Sequence, residues 1–199
     1  CGLKVHLATK LRLGDSNTVM AEGGIQASIG KNDSPRKHYA DAFVGGHGEN
    51  DSDLLRYLCE SGPKAIDWLK KLGCMFDRNQ DGTYRLKSGG GTSTARILAC
   101  RDITGLEIMR VLREAIRQGD TVILENHSAI ELLDDGNRSA TGAILWNSQT
   151  KNLVSVSARA ILIASGGGGQ LRFGGIATSN HIGATCDGLV LAYRLGCAL

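Results

Sequence analysis

The sequence contains little proline and few aromatic residues, and it has no long apolar run. Only two prolines accompany the 27 glycines, so the glycines do not belong to a low-complexity linker. They fall instead in tight local groups, which predicts turns where the backbone comes close to another group. No run is apolar enough to span a bilayer, and no secretory signal is recognisable. We therefore expect a cytoplasmic chain.

The charge is neither strongly basic nor arranged in a stripe. The 23 basic and 20 acidic residues give a formal net charge of +3, and no aromatics interleave with a basic run, which argues against a nucleic-acid partner. The six cysteines show no CxxC spacing and no paired-histidine motif. They predict reduced, mostly structural thiols and no metal site.

Both ends of the sequence look internal to a longer chain. The first residue is Cys1 rather than Met, and a strand-like run follows almost at once. The sequence stops at Leu199, directly after a helical pattern. We expect these residues to be a piece of a larger protein.

Hydrophobic periodicity and turn residues predict a mixture of strands and helices, which is an α/β architecture with insertions. The predicted strands are Leu3–Thr9, Thr121–Glu125, Ser128–Leu133, Gly142–Trp146, Leu153–Ser157 and Ala160–Ala164. The predicted helices begin near Arg36, near Leu54, at Ser61-Gly62-Pro63, at Thr104 (ending at Arg117) and at Asp187-Gly188. Asp81-Gly82 is typical of a hairpin turn.

The run Ala160–Ala164 leads directly into Ser165 and four glycines. A continuous apolar run is typical of a strand buried on both faces of a parallel sheet, and a glycine-rich turn after it makes room for a phosphate. A loose surface loop is the plainer interpretation. The GxGxxG fingerprint of dinucleotide-binding folds is absent, so we expect this chain alone to bind a dinucleotide weakly or not at all.

Five motifs occur in order along essentially the whole chain. They are Ser16 to Ile25 (SNTVMAEGGI); Trp68-Leu69 with Gly73 and Phe76; Asp102 to Gly105 (DITG); Ala164 to Gly169 (ASGGGG); and Ser179-Asn180 with Thr185 to Gly188 (TCDG), Ala192 and Gly196. In this order and spacing the chain resembles the fumarate reductase and succinate dehydrogenase flavoprotein family, which includes L-aspartate oxidase. The resemblance implies a partial Rossmann-like FAD-binding domain with a helical capping-type insertion and a small antiparallel β-meander.

The resemblance also implies a division of the chain and a set of residues that contact FAD. Residues 1–33 and 120–199 would form the FAD-binding domain, without its first strand and GxGxxG turn, and residues 34–119 a helical segment with part of the capping region. The implied FAD contacts are Thr9, Lys10, Ser16, Asn17, Thr18, Met20, Ala21, Glu22, Gly23, Gly24, His127, Ala129, Ser165, Gly166, Gly167 and Asp187.

Plainer interpretations stay open for several of these positions. Asp187 is alternatively the N-cap of the last helix, and Lys10 a solvated loop charge. His127 is alternatively a structural residue that contributes only its backbone. Glu22 alternatively satisfies a nearby backbone amide.

Two departures from the family pattern carry information. Relatives in respiratory complexes attach FAD through a histidine, and the matching position is Asn17, whose amide cannot form that bond. The resemblance therefore implies noncovalent FAD, and it favours fumarate reduction or oxidase chemistry over succinate oxidation. L-aspartate oxidases carry a glutamate where this chain has Gly89, which favours a plain dicarboxylate substrate.

The resemblance implies an FAD-dependent oxidoreductase that transfers a hydride between FAD and a C4 dicarboxylate such as fumarate or succinate. An iron–sulfur electron-transfer subunit is a further implied partner. The family's proton-donating arginine and its substrate clamp would lie beyond Leu199, so no residue here is assigned as catalytic. L-aspartate oxidase is the alternative within the family, and a non-catalytic binding or interaction module is the alternative from another class.

Overall fold

The computed structural model of the protein describes residues 2–137, 139–171 and 173–198, with the Phe173 side chain left aside. These residues form two compact units. One consists of residues 2–17 and 116–198, and the other is Thr18–Ala115.

The unit Thr18–Ala115 combines three helices with a short two-stranded sheet. The helices are α1 (Pro35–Gly45), α2 (Ser52–Lys71) and α3 (Thr104–Arg117), of which the last two residues fall in the other unit. The strands β2 (Ile25–Gln26) and β3 (Ile97–Leu98) pair antiparallel. The structure confirms the predicted bounds of α3. Its apolar positions repeat without interruption at helical spacing, which made this helix recognisable from the sequence.

Side-chain caps determine where α1 and α2 begin. The Ser34 hydroxyl accepts a hydrogen bond from the Lys37 N–H at 3.2 Å, and Pro35 occupies the first turn, where a missing N–H costs nothing. The Asp51 carboxylate accepts from the N–H groups of residues 53 and 54 at 3.0 and 2.9 Å. Both starts follow from local sequence.

The prediction that a new helix starts at Ser61-Gly62-Pro63 is wrong. Helix α2 runs without interruption through Pro63. Pro63 lacks the N–H that the carbonyl group of Cys59 would otherwise receive, yet burial of Cys59 and Ile66 on either side of it keeps the helix continuous. Tertiary packing has outweighed a local breaking signal.

The core of this unit lies where α2 and α3 meet the β2–β3 sheet and the turn after α2. Its buried members are Ala27, Ile66, Leu69, Cys74, Phe76, Leu98 and Val111. The predicted turn at Asp81-Gly82 closes a small hairpin, in which Arg78 and Tyr84 form a single antiparallel bridge.

A buried charge network also holds this unit together. Arg96 has a fully buried side chain, and its Nε and Nη2 each lie 3.0 Å from a carboxylate oxygen of the equally buried Asp33. Its Nη1 lies 2.8 Å from Asp41 Oδ2, which also accepts hydrogen bonds from the N–H and hydroxyl of Ser93. The bond from the Ser93 N–H lowers the pKa of Asp41, whereas burial and the charge of Arg96 lower the pKa of the neighbouring His38.

The unit of residues 2–17 and 116–198 contains two sheets and one helix. Strands β1 (His6–Ala8) and β4 (Val122–Leu124) pair in parallel. Strands β5 (His127–Asp134), β6 (Ala140–Asn147) and β7 (Leu153–Ser157) form an antiparallel sheet in that order. Helix α4 is Asp187–Arg194 and buries Leu191.

The predicted strand Ala160–Ala164 does not form. These residues pair with no strand among the described ranges, and Leu162 is 92% exposed. A strand needs a hydrogen-bonded neighbour as well as an apolar sequence, and the described residues supply none beside this run. The apolar pattern alone was therefore not sufficient to predict a strand.

The cysteines that the structure describes are five free thiols, and Cys1 lies outside the described residues. Burial raises the pKa of the Cys74 thiol to about 11, so that thiol stays protonated and unreactive. Within the described ranges no helix combines the length and apolarity needed to cross a membrane.

We expect Arg96→Ala to destabilise the protein by about 3–5 kcal/mol, because it leaves the buried Asp33 carboxylate without its cation. Arg85→Ala is the matched control, since Arg85 is 57% exposed and lies 3.4 Å from Asp77, and it should cost at most about 1 kcal/mol. Urea unfolding followed by circular dichroism measures both. Arg96→Lys, which keeps the charge without the bidentate fork, should fall between them. Equal losses for Arg96→Ala and Arg85→Ala would contradict the assignment.

Candidate functional site

Lys10, Thr185 and Asp187 form a compact polar cluster. Lys10 Nζ lies 2.5 Å from Asp187 Oδ2 and 2.5 Å from Thr185 Oγ1. The Thr185 hydroxyl in turn donates to Asp187 Oδ1 at 2.9 Å. The structure thus brings two predicted site residues from opposite ends of the chain into direct contact, at the point where β1 ends and α4 begins.

Two of the plainer interpretations are wrong as a result. Lys10 is ion-paired and only 32% exposed, so it is not a solvated loop charge. The N-cap of α4 is Cys186, which makes no side-chain capping bond, and Asp187 is the first helical residue. Partial burial acts to raise the pKa of Asp187, but the hydrogen bonds from Lys10 and Thr185 and the charge of Lys10 outweigh burial and lower the pKa.

The start of α4 touches the segment that leads into the glycine-rich loop, residues 165–169. A β-carbon at Gly188 would overlap Ser165 Oγ and the Ile163 side chain. A larger residue at this position would require the Ser165 and Ile163 side chains to shift. Cys186, next to Asp187, adopts a left-handed φ of 64°, and strain of this kind at a non-glycine residue typically marks a site where surrounding contacts enforce the conformation.

The glycine-rich loop is tied down at several points and is not a loose loop. The Cys186 N–H donates to the Gly167 carbonyl oxygen at 3.1 Å, and the Gln170 N–H donates to the Ala184 carbonyl oxygen at 2.9 Å. The N–H groups of Ser165 to Gly168 make no hydrogen bond to another described residue. Apart from their chain neighbours, no atom of the described residues lies within 4 Å of the β-carbon position of Gly166 or Gly167. A bend of open N–H groups of this kind suits phosphate oxygens.

Asn17 is held by residues that immediately precede this cluster. Its Oδ1 accepts from the His181 N–H at 2.7 Å, and its Nδ2 donates to Asn180 Oδ1 at 3.3 Å. Both ends of the amide are therefore in use within the protein. Ser16, its neighbour, makes one long contact of 3.5 Å from its hydroxyl to the Gly14 carbonyl oxygen.

Thr9 and His127 meet at the end of the β1–β4 sheet. The His127 N–H donates to the Thr9 carbonyl oxygen at 2.9 Å. Its Nδ1 lies 2.7 Å from the Glu125 carbonyl oxygen and its Nε2 lies 3.1 Å from Asn147 Nδ2. Both ring nitrogens have structural partners. Ala129 lies on β5, opposite Leu145 and next to a β-bulge.

The remaining predicted residues, Thr18 to Gly24, belong to the unit Thr18–Ala115. Residues Asn17–Met20 form a 3-10 turn. The start of α3 holds the two residues after this turn: the Gly105 N–H donates to the Ala21 carbonyl oxygen at 2.8 Å, and the Thr104 hydroxyl donates to the Glu22 carbonyl oxygen at 3.1 Å. The last two residues of the DITG motif therefore hold the backbone of the first two residues of Ala21 to Gly24 (the AEGG motif).

Two glycines explain why these motifs approach so closely. A β-carbon at Gly105 would overlap the Thr18 carbonyl oxygen. Gly24 has a φ of 122°, and a β-carbon there would overlap the Leu98 carbonyl oxygen, so glycine is needed for β2 to pair with β3. Among the described residues, only the chain neighbours of Gly23 come within 4 Å of its β-carbon position.

Comparison with known proteins identifies the class to which this geometry belongs. The family described as "FAD binding domain" matches residues 1–199. An uncharacterised FAD-dependent oxidoreductase of Methanocaldococcus jannaschii is 40% identical over 98% of this chain and 36% of its own length. The L-aspartate oxidase of Streptomyces coelicolor is 37% identical over 98% of this chain and 34% of its own length.

A solved structure agrees with these matches. The structure of E. coli quinol fumarate reductase carrying a mutation matches with a TM-score of 0.90 and 28% identity, over 97% of this chain and 32% of that chain. The chain thus spans about a third of the length of the relatives that it matches.

The chain belongs to the FAD-binding family of fumarate reductase, succinate dehydrogenase and L-aspartate oxidase flavoproteins. Its members are FAD-dependent oxidoreductases, and the mixed helix and strand structure has their FAD-binding fold. The residues present fit this cofactor, because open N–H groups at Ser165 to Gly168 suit its phosphates. The Asp187 carboxylate accepts one bond on each oxygen and keeps further lone pairs that suit a hydroxyl.

Sequence reasoning missed three contributors to this region. Thr185 and Asn180 lay inside a motif that was recognised, but no role was attached to their side chains. Thr178 lay outside every motif. The bonds of Thr185 to Lys10 and of Asn180 to Asn17 join segments far apart in sequence, and Thr178 bonds to the Gly169 carbonyl oxygen across a loop. No local pattern signals such pairs.

We expect Gly105→Ala to destabilise the protein by about 1–3 kcal/mol, because the added methyl group has no room beside the Thr18 carbonyl oxygen. Gly45→Ala is the control, since no atom lies within 4 Å of that β-carbon position, and it should be neutral or slightly stabilising. Denaturant unfolding measures both changes. Equal behaviour of the two variants would show that α3 and the AEGG motif do not touch.

The lowered pKa of Asp187 predicts a defined pH dependence. Since the folded pKa lies below the unfolded one, the stability contributed by Asp187 is complete above about pH 4 and is lost as the pH falls through the folded pKa. Carboxyl carbon NMR of Asp187 should show a midpoint below about 3.9. Lys10→Met should raise that midpoint, because only the Thr185 hydrogen bond then opposes the effect of burial, while Lys4→Met at an exposed position should leave it unchanged. An unchanged midpoint in Lys10→Met would contradict the ion pair.

Proposed function

We propose that this chain supplies FAD-contacting segments of a flavoprotein that transfers a hydride between FAD and a C4 dicarboxylate, in the manner of fumarate reductase or succinate dehydrogenase. The observation that carries the proposal is the Lys10–Thr185–Asp187 cluster beside the glycine-rich loop. The cluster joins the end of a parallel strand to the start of a helix, which is where α/β folds bind nucleotides.

Each segment has a role that its chemistry supports. The open N–H groups of Ser165, Gly166 and Gly167 suit the diphosphate, and Asp187 suits a ribitol or ribose hydroxyl. Thr9, Lys10, His127 and Ala129 would lie on the adenosine side. Ser16, Asn17, Thr18, Met20, Ala21, Glu22, Gly23 and Gly24 would line the pyrophosphate and flavin. The bound FAD would supply the hydride chemistry, and the protein would bind and orient it.

The contacts of Asn17 support noncovalent binding of FAD. A side-chain amide offers no nucleophile for a bond to a flavin, and both ends of this amide already bind Asn180 and His181. The residue therefore acts within the protein's own hydrogen-bond network. This arrangement favours a reductase or an oxidase over succinate oxidation.

The absence of a glutamate at Gly89 favours a plain dicarboxylate over an amino acid. The nearby Asp41 carboxylate, on α1, does reach the loop after Gly89, but Arg96 and Ser93 already engage it. Its negative charge is therefore already balanced by Arg96, which leaves little attraction for a substrate ammonium. L-aspartate oxidase is the second candidate, because the Streptomyces coelicolor enzyme of that name is 37% identical to this chain.

Domain organisation and partners follow from the same proposal. Residues 1–33 and 120–199 would form a partial Rossmann-like FAD-binding domain, and residues 34–119 a helical segment with part of the capping region. The fumarate reductase structure that this chain matches is a quinol enzyme. An iron–sulfur electron-transfer subunit is the partner that we propose. The protein would be cytoplasmic, or membrane-associated through such subunits. We assign no catalytic residue in this chain.

Purification of the protein as encoded, with any sequence that flanks these residues, tests the proposal. We expect visible flavin absorbance that acid precipitation releases completely into the supernatant. Asp187→Ala should weaken FAD binding at least about tenfold, which corresponds to the loss of one charged hydrogen bond. Asp120→Ala, at an exposed position, is the control and should leave the dissociation constant unchanged.

Substrate assays then separate the candidates. Reduction of fumarate by the reduced flavoprotein without oxidation of L-aspartate supports the dicarboxylate enzyme, and the reverse supports the aspartate oxidase. A colourless protein that binds no added FAD would overturn the proposal and leave a non-catalytic interaction module.

A further inference from the structure

Asn180 connects two segments that are far apart in sequence. Its side-chain Oδ1 accepts a hydrogen bond from Asn17 Nδ2 at 3.3 Å. Its side-chain Nδ2 and its backbone N–H both donate to Thr178 Oγ1, at 2.9 and 3.1 Å. Its carbonyl oxygen accepts from Gln170 Nε2 at 2.8 Å. One asparagine therefore contacts Asn17 on one side and the neighbours of the glycine-rich loop on the other.

The donors and acceptors in this network allow only one arrangement. Since the Thr178 oxygen accepts two bonds from Asn180, its hydroxyl proton is free to donate to the Gly169 carbonyl oxygen, at 2.8 Å. The Asn180 Nδ2 faces Thr178, so its Oδ1 must face Asn17. Asn17 then presents its own Oδ1 to the His181 N–H at 2.7 Å. The chain of bonds fixes the orientation of both amides.

The glycine-rich loop lies directly against the Asn180 side chain. A β-carbon at Gly169 would overlap the Asn180 amide group. The position of this loop is therefore set by the asparagine both through contact with Gly169 and through the Thr178 hydroxyl. A shift of the asparagine has to move the loop, Asn17 or both.

Burial indicates what this network is for. Asn17 and Asn180 are both exposed, and hydrogen bonds between exposed groups contribute little to the free energy of unfolding because water replaces them. Precise placement of exposed groups matters instead where those groups meet a ligand.

We infer that Asn180 is a positioning residue for FAD, which sets the glycine-rich loop and Asn17 in one fixed relation. This inference rests on the proposed function. It assigns to Asn180 no contact with the cofactor, since the asparagine acts through Gly169 and Asn17. Loss of its side chain should weaken binding of FAD without weakening the fold.

Three variants of the protein as encoded test this role. Asn180→Ala removes the side-chain hydrogen bonds to Asn17 and to Thr178. Asn180→Asp keeps an oxygen for Asn17 but loses the donor to Thr178. Ser179→Ala changes the exposed neighbouring residue and is the matched control. The measurements are the FAD dissociation constant, the melting temperature of the flavin-free protein, and hydrogen exchange at the His181 amide of the flavin-free protein.

We expect Asn180→Ala to raise the FAD dissociation constant about tenfold while the flavin-free melting temperature stays at the wild-type value. The His181 amide should exchange faster, because Asn17 is no longer held in place. Asn180→Asp should raise the dissociation constant by a smaller factor, and Ser179→Ala should change none of the three. In combination with Asn17→Ala, the Asn180→Ala effect should be smaller than the product of the two single effects, since both residues act through one network.

The outcomes separate the inference from the proposed function. A wild-type protein without FAD affinity would overturn both. A wild type that binds FAD, with an Asn180→Ala variant that binds equally well, would overturn only the inference. An Asn180→Ala variant whose weaker binding is matched by a lower melting temperature would show that Asn180 is a structural residue. An effect that multiplies fully with that of Asn17→Ala would show that the two residues act independently. Either result would overturn the inference.

Discussion

The structure depends on one constraint, which is that two helix starts approach a neighbouring segment so closely that only a glycine fits there without a shift of the neighbouring atoms. Gly105 brings the start of α3 against the Thr18 carbonyl oxygen, and Gly188 brings the start of α4 against Ser165. Each contact joins a helix start to a segment for which the family resemblance implies contact with FAD. Because a helix start is rigid, the two contacts convert flexible glycine-rich sequence into defined surfaces. The clustered glycines of this chain serve contact as much as they serve turns.

Those elements that local sequence determines were predictable, and those that need a distant partner were not. Helix α3 has an uninterrupted apolar stripe, so both its ends follow from the sequence. Pro63 gave a false helix start, because buried residues on both sides keep α2 intact through it. The run Ala160–Ala164 gave a false strand, because the strand pattern is local while its hydrogen-bonded neighbour is not.

The same distinction between local and distant determinants applies to the candidate site. Motif order and spacing indicated the family, which the comparisons confirm. The pairing of Lys10 with Asp187 spans nearly the whole chain, so a motif can name both residues without revealing that they meet. Asn180 and Thr178 act through side-chain bonds whose geometry exists only after folding. The sequence alone allowed Asp187 to be the N-cap of α4. In the structure Cys186, whose backbone is left-handed, occupies the N-cap position, and Asp187 is the first helical residue.

The exposed run that ends before the glycine-rich loop has a practical consequence for handling this chain. Leu162 and Ile163 present apolar side chains, and their backbone groups lack a strand partner among the described residues. An extended apolar segment with unpaired amides is a template on which a second molecule adds its own strand, and such addition propagates into aggregates. Arg159, immediately upstream and exposed, is a charged gatekeeper of the type that slows this process. The charge of Arg159 thus favours solubility of this chain at high concentration.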